Sequence, residues 1–197
     1  QADIDKVTLL HRQPHRLAGI KELWYKMIGD YIAALKGKEK TIVFDTYTQC
    51  WELSRQGYLQ ELQERQDPGD KLREKLLPIE HGEPNTRMRT IINLAREYKK
   101  HLVLVHYMVD EYQKKLVDGK VEEIVTGRTF AGWKYLEGQV DLIVETSVKK
   151  QKVDGVLKLV PYGEIIVSGL GLELVGLSLS DPTFGKINQA VESFNGA

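Results

Sequence analysis

Two residues of this sequence are placed where their chemistry could matter. Asp45 closes the run Thr41-Ile42-Val43-Phe44 and is followed by Thr46, Tyr47 and Thr48. A carboxylate so placed can hold a magnesium ion through water beside a nucleotide's phosphates, because Mg²⁺ keeps several waters and takes few protein oxygens. It can equally cap the helix that follows. His106 closes a second apolar run, His101-Leu102-Val103-Leu104-Val105, where an imidazole can meet a γ-phosphate or orient an attacking water. The alternative is a structural histidine. Asp110 and Glu111 come just after it, and with Asp45 they would make an acidic set for metal-dependent nuclease chemistry, or else a solvated loop.

Arg128, Lys134 and Trp133 combine positive charge with an aromatic face, the pairing used on single-stranded nucleic acid, although Trp133 also suits a core. Lys149, Lys150 and Lys152 form a basic cluster that either touches phosphates or is a solvated face. His11 and His15 have helical i, i+4 spacing, but no acid at a matching spacing completes a metal site, and His101 offers no such spacing. The single cysteine, Cys50, excludes an intrachain disulfide and a cysteine-based zinc site, and is compatible with a reducing compartment.

The elements that must position these groups follow from hydrophobic periodicity. After an extended start at Val7-Thr8-Leu9-Leu10, apolar residues at Leu17, Ile20, Leu23, Trp24, Met27, Ile28, Tyr31, Ile32 and Leu35 predict a long amphipathic helix. Pro14 precedes it, and Gly37 is placed to end it in a left-handed conformation. Thr41 to Phe44 reads as a strand buried on both faces. A second helix runs from about Gln49 to Glu64 with Trp51, Tyr58, Leu59 and Leu62 inward, until Asp67-Pro68-Gly69-Asp70 breaks it. A polar connector with Pro78, His81 and Gly82 leads to Pro84. Met88, Ile91, Ile92, Ala95 and Tyr98 then mark a third helix, and His101 to His106 a second buried strand.

Beyond it, Asp118-Gly119 between short apolar runs predicts a tight hairpin. A short helix is expected near Thr129 to Glu137, then an apolar strand at Val140 to Val144 and an antiparallel extension from Val156 to Val160 and Glu164 to Val167. Asp181-Pro182 is placed as N-cap and first residue of a closing helix with Ile187, Ala190, Val191 and Phe194 inward. Two nearly unbroken apolar strands joined through helices predict an α/β sheet with parallel core strands, helices on both faces and an antiparallel C-terminal extension. Ligands of such sheets bind at the carboxyl ends of the strands, where Asp45 and His106 lie.

The chain has 197 residues, with 28 basic and 28 acidic side chains that leave no formal net charge. That length suits one domain with additions, and no global basic field gathers nucleic acid, so any anion must be bound locally. Apolar stretches fall well short of the ~18 residues that span a bilayer, and no signal peptide opens the chain. A cytoplasmic protein without a membrane partner is expected. The start at Gln1 suggests a processed, tagged or incomplete polypeptide.

The order of these parts resembles the RecA-like P-loop ATPase core, most closely the compact phage-encoded nucleotide-binding proteins of the annealing and recombination type. Ile42-Val43-Phe44-Asp45-Thr46 is similar to that family's Walker B strand, His106 to its sensor residue, Gly138-Gln139-Val140-Asp141-Leu142-Ile143 to its Gly-x-Val-Asp-x-Ile strand, and Asp181-Pro182-Thr183-Phe184 to the start of its last helix. The likeness spans nearly the whole chain through short motifs.

The resemblance implies a single RecA-like core over residues 1–197 that binds ATP and Mg²⁺ and acts on single-stranded DNA in recombination, annealing or replication. Asp45 would position the Mg²⁺-bound water, Thr46 would assist, and His106 would sense the γ-phosphate. The segment from Tyr107 to Thr129 would face DNA, with Arg128, Lys120 and Lys134 as DNA contacts. A homo-oligomeric ring or filament is implied, in a host cytoplasm and among other phage proteins.

One departure stands out. The phosphate loop, Gly-x-x-x-x-Gly-Lys-Ser/Thr, occurs nowhere in the sequence. The resemblance puts the strand before that loop between the two apolar strands, which leaves a central gap to be filled from a missing N-terminal portion. The alternative is a relative that pairs those strands directly and no longer hydrolyses ATP, a catalytically inactive structural or interaction protein.

Overall fold

The computed structural model describes residues 16–117, 120–153 and 155–195. The expected opening strand, the His11 and His15 pair and the Asp118-Gly119 turn lie outside them. The chain divides into two compact units, Gln1–Lys134 and Tyr135–Ala197.

In the first unit the described elements are α1 (Ile20–Lys36), β1 (Thr41–Phe44), α2 (Tyr47–Glu64), a 3-10 turn (Pro78–His81), α3 (Gly82–Glu97), β2 (His101–Leu104), β3 (Met108–Val117) and β4 (Lys120–Phe130). Helix α1 buries Trp24, Tyr31 and Leu35, as its period requires. Its left-handed glycine is at the opposite end from the one expected: Gly19 has φ 78° at the N-cap, whereas Gly37 is extended at φ −75°. Gly19 has no side chain to cap with, so the first amides of α1 find acceptors on α2. Gln60 Oε1 accepts from the Ile20 and Lys21 amides at 3.0 Å each, and Gln63 Oε1 accepts from the Leu17 amide at 2.8 Å. This is why α2 buries Gln60 and Gln63 on a face where an apolar stripe is expected; Ser54, also buried there, donates to the Pro84 carbonyl at 3.4 Å, and Glu61 receives Arg87 and Tyr25.

The core between the helices is aromatic. Tyr31 meets Phe44 edge-on at 5.2 Å, Phe44 meets Tyr47 at 5.8 Å, and Tyr47 meets Trp133 at 6.2 Å. The phenol groups are not left unpaired, since Tyr31 donates to the Ile91 carbonyl at 2.6 Å and Tyr47 to that of Met88 at 2.8 Å. Burial pushes the Tyr31 hydroxyl up to about 12 and the Tyr47 hydroxyl higher still, so both stay protonated donors.

The second unit holds a 3-10 turn (Glu137–Gln139), β5 (Leu142–Val153), β6 (Val156–Ser168), a 3-10 turn (Leu172–Leu174), β7 (Ser178–Ser180) and α4 (Phe184–Asn195). Ile143, Ile165, Leu174 and Leu136 are its buried apolar residues. The short helix expected near Thr129 to Glu137 is absent, because β4 runs on to Phe130 and turns follow. Helix α4 is capped by Thr183, whose hydroxyl accepts from the Lys186 amide at 3.3 Å, and not by Asp181.

The expected RecA-like sheet, with parallel core strands and helices on both faces, is not what forms. β1 and β2 make a two-stranded parallel pair, β3 and β4 a two-stranded antiparallel ribbon, and β5-β6-β7 a three-stranded antiparallel sheet. The apolar runs misled because each contributes a strand of only four residues. Within β1, Phe44 is buried while Thr41 and Val43 are exposed, Val43 at 57%, so the pair is covered on one face. The expected central gap is absent too: β1 and β2 pair directly, Thr41 with His101 through Phe44 with Leu104.

Candidate functional site

The site is assembled where β1 and β2 end. The ladder continues past both strands: the Val105 amide donates to the Phe44 carbonyl at 3.0 Å, and the Tyr47 amide to the Val105 carbonyl at 2.8 Å. These bonds hold the backbone at Asp45 beside the backbone leading to His106. Their side chains meet different surroundings. Asp45 is exposed, whereas His106 is half-buried against the aromatic core.

The helix cap falls to the next residue. Thr46 is the extended N-cap of α2, and its hydroxyl accepts from the Gln49 amide at 3.4 Å. The carboxylate of Asp45 is therefore left out of capping, while Thr46 is engaged and buried. Asp45 is thus a single exposed carboxylate at the strand end. A triphosphate does not find its cradle in these residues, since no glycine-rich loop with a following lysine is present.

His106 lies between Tyr47, at 5.4 Å between ring centres, and Phe130, at 5.2 Å. Its Nδ1 is 3.3 Å from the Thr48 hydroxyl, which also accepts from the Tyr107 amide at 3.2 Å. Nε2 is buried and finds no hydrogen-bond partner among the described residues. Burial lowers the basicity of the ring, with the Ala131 backbone acting in the opposite direction, so the imidazole is neutral at pH 7. A neutral imidazole offers one donor and one acceptor and no charge to a phosphate. Gly132 closes this corner with φ 104°, and a Cβ there would lie 3.2 Å from Trp51 and 3.5 Å from the Thr48 methyl.

The expected DNA contacts are spread out. Arg128 lies opposite Asp110 in the β3-β4 ribbon. Lys120 begins β4, eight residues or roughly 27 Å of strand away, and its side chain lies outside the description. Lys134 is exposed beside Trp133, but that indole is buried and donates to Asn85 Oδ1 at 3.0 Å, so it presents no aromatic face to a base. Asp110 and Glu111 sit on β3, and no cluster of three or more metal-binding side chains exists among the described residues.

Sequence reasoning missed Thr48, which joins α2 to the chain at His106 and Tyr107. The signal was present in the Asp45-Thr46-Tyr47-Thr48 run, where two threonines follow the carboxylate. It also missed the cation held among the three helices. Arg87 Nη2 donates to both oxygens of Glu61, at 3.0 and 3.1 Å, Nε donates to Glu83 at 2.9 Å, and the guanidinium lies over the rings of Trp24 and Tyr58.

No protein-family model, no curated protein and no solved structure matches the chain. No helix among the described residues is long and apolar enough to cross a membrane.

Proposed function

We propose that this protein is an ATP- and Mg²⁺-dependent protein acting on single-stranded DNA, in which Asp45 serves the cation. One observation carries the reading: an exposed carboxylate, not engaged in capping, at the carboxyl end of a directly paired parallel strand and beside the strand end that leads to His106. In this reading the phosphate contacts come from groups other than these residues, and assembly of several copies is the proposed source of a shared site. His106, neutral and held by Thr48, acts as a positioning residue at the strand end.

ATP hydrolysis by the protein, measured with and without single-stranded DNA, tests this. Turnover stimulated by DNA and abolished by Asp45→Asn is expected. No turnover, or turnover that the substitution leaves unchanged, overturns the enzyme reading.

A second reading has its own support. Direct pairing of β1 and β2, the engagement of Thr46 as a cap and the enclosure of His106 fit a protein that keeps its strands and binds partners without hydrolysis. DNA binding or protein assembly unaffected by nucleotide and by Asp45→Asn is the result that favours it.

A further inference from the structure

The two long ribbons treat their charges in opposite ways. In the β3-β4 ribbon, Lys114 faces Glu123, Lys115 faces Glu122 and Arg128 faces Asp110 across the strands. The Lys114 ammonium lies 3.9 Å from the Glu123 carboxylate. In the far half of β5-β6 the partners are uncharged: Lys149 faces Val160, Lys150 faces Leu159, Lys152 faces Leu157, and Lys158 faces Gln151. The sequence between Glu145 and Glu164 holds these four lysines and one acid, Asp154. In a chain of zero net charge, this is a local concentration of cations.

The same stretch is uncovered. Leu157 is 71% exposed, Leu159 68% and Val148 62%. Alternation along the strands puts these three on the face that carries Lys150 and Lys152, because Val148, Lys150 and Lys152 are successive same-face positions and Leu159 and Leu157 oppose the two lysines. On the other face Lys149 Nζ lies 3.8 Å from the centre of the Tyr162 ring.

We propose that the far half of the β5-β6 ribbon is a contact surface for single-stranded nucleic acid, with Lys150 and Lys152 on the phosphates, the aliphatic face that carries them against sugars and bases, and Lys149 and Lys158 adding positive charge from the opposite face. Charge complementarity selects the partner: lysines whose cross-strand partners carry no acid call for a polyanion, and Lys150 and Lys152, at i and i+2, stand about 6.8 Å apart, comparable with the step between phosphates of an extended strand. The contacts read backbone rather than base edges, so binding is tolerant of sequence. The proposal deepens the DNA-acting reading above and rests on it for the choice of nucleic acid, but it uses none of Asp45, Thr46 or His106.

Anisotropy of a labelled oligo-dT over a series of salt concentrations tests it, using the protein, a K149Q/K150Q/K152Q/K158Q form and a K114Q/K115Q control. Each phosphate contact on a single strand contributes about 0.7 to the slope of log K against log salt. With two direct contacts, from Lys150 and Lys152, the fourfold variant is expected to lose about 1.4 from that slope and at least about tenfold in affinity at low salt. The control retains both, and a variant with the same four lysines changed to arginine retains binding. If the protein binds oligo-dT and the fourfold variant binds equally well, the ribbon assignment is overturned while the DNA-acting reading stands. If the protein binds no oligo-dT, both fall. Binding to phosphatidylserine vesicles without binding to oligo-dT overturns the nucleic-acid assignment in favour of a membrane surface.

Discussion

His106 shows how a single residue changes meaning once its surroundings are known. At the end of an apolar run it reads as a group aimed at a ligand, yet its ring is enclosed by Tyr47 and Phe130 and joined to Thr48. Burial lowers its folded pKa below the ordinary 6.5. An unfolded chain therefore takes up the proton first as pH falls. The stability this histidine permits is complete above its unfolded pKa and is lost as pH drops through that value toward the folded one. Thermal unfolding from pH 7.5 to 5 is expected to show a fall in Tm for the protein that is shallower for His106→Phe. Parallel pH profiles for the two forms contradict the enclosed, neutral imidazole. Cys50 is a simpler case: burial pushes its thiol up to about 11, so a reducing compartment does not need to protect a reactive thiolate there.

At the scale of elements, helix α2 carries the lesson. Its ends were legible in the sequence, because β-branched residues precede it and Asp67-Pro68-Gly69 follows it. Its buried face was not, since Gln60, Glu61 and Gln63 read as solvent residues until their partners are known. The glutamines supply the acceptors that Gly19 cannot, and Glu61 receives Arg87 from α3 and the Tyr25 hydroxyl from α1, the latter at 3.1 Å. The Arg87–Glu61 pair is nearly enclosed, with side-chain exposures of 13% and 9%. Removing one member leaves a charge without its partner, so Arg87→Met is expected to cost about 3–5 kcal/mol in denaturant unfolding. Adding Glu61→Leu should restore much of the loss. A double variant as unstable as the sum of the singles contradicts the pairing. β1 and β2 were located within a residue or two, but their covering was misjudged: four apolar residues in a row fit a buried central strand, and here they make a pair with one open face. The later strands were underread, since β5 runs on to Val153, β6 is one strand from Val156 to Ser168 and β7 was not expected.

For the whole molecule, zero net charge argues that any anion site is local, and the proposed candidate is a ribbon whose lysines face uncharged neighbours. Hairpin patterning near Asp118-Gly119 and the antiparallel extension were readable because alternation and turn residues are local signals. The division into separate small sheets was not, because pairing between strands far apart in sequence depends on which faces the helices cover. The account turns on Asp45 acting on a cation-bound nucleotide. Calorimetric titration of ATP into the protein, with and without Mg²⁺, tests this most directly. The account predicts Mg²⁺-dependent binding that Asp45→Asn weakens at least about tenfold, or about 1.4 kcal/mol. Equal affinity in the two forms, or no binding of Mg²⁺-ATP by the protein, contradicts it.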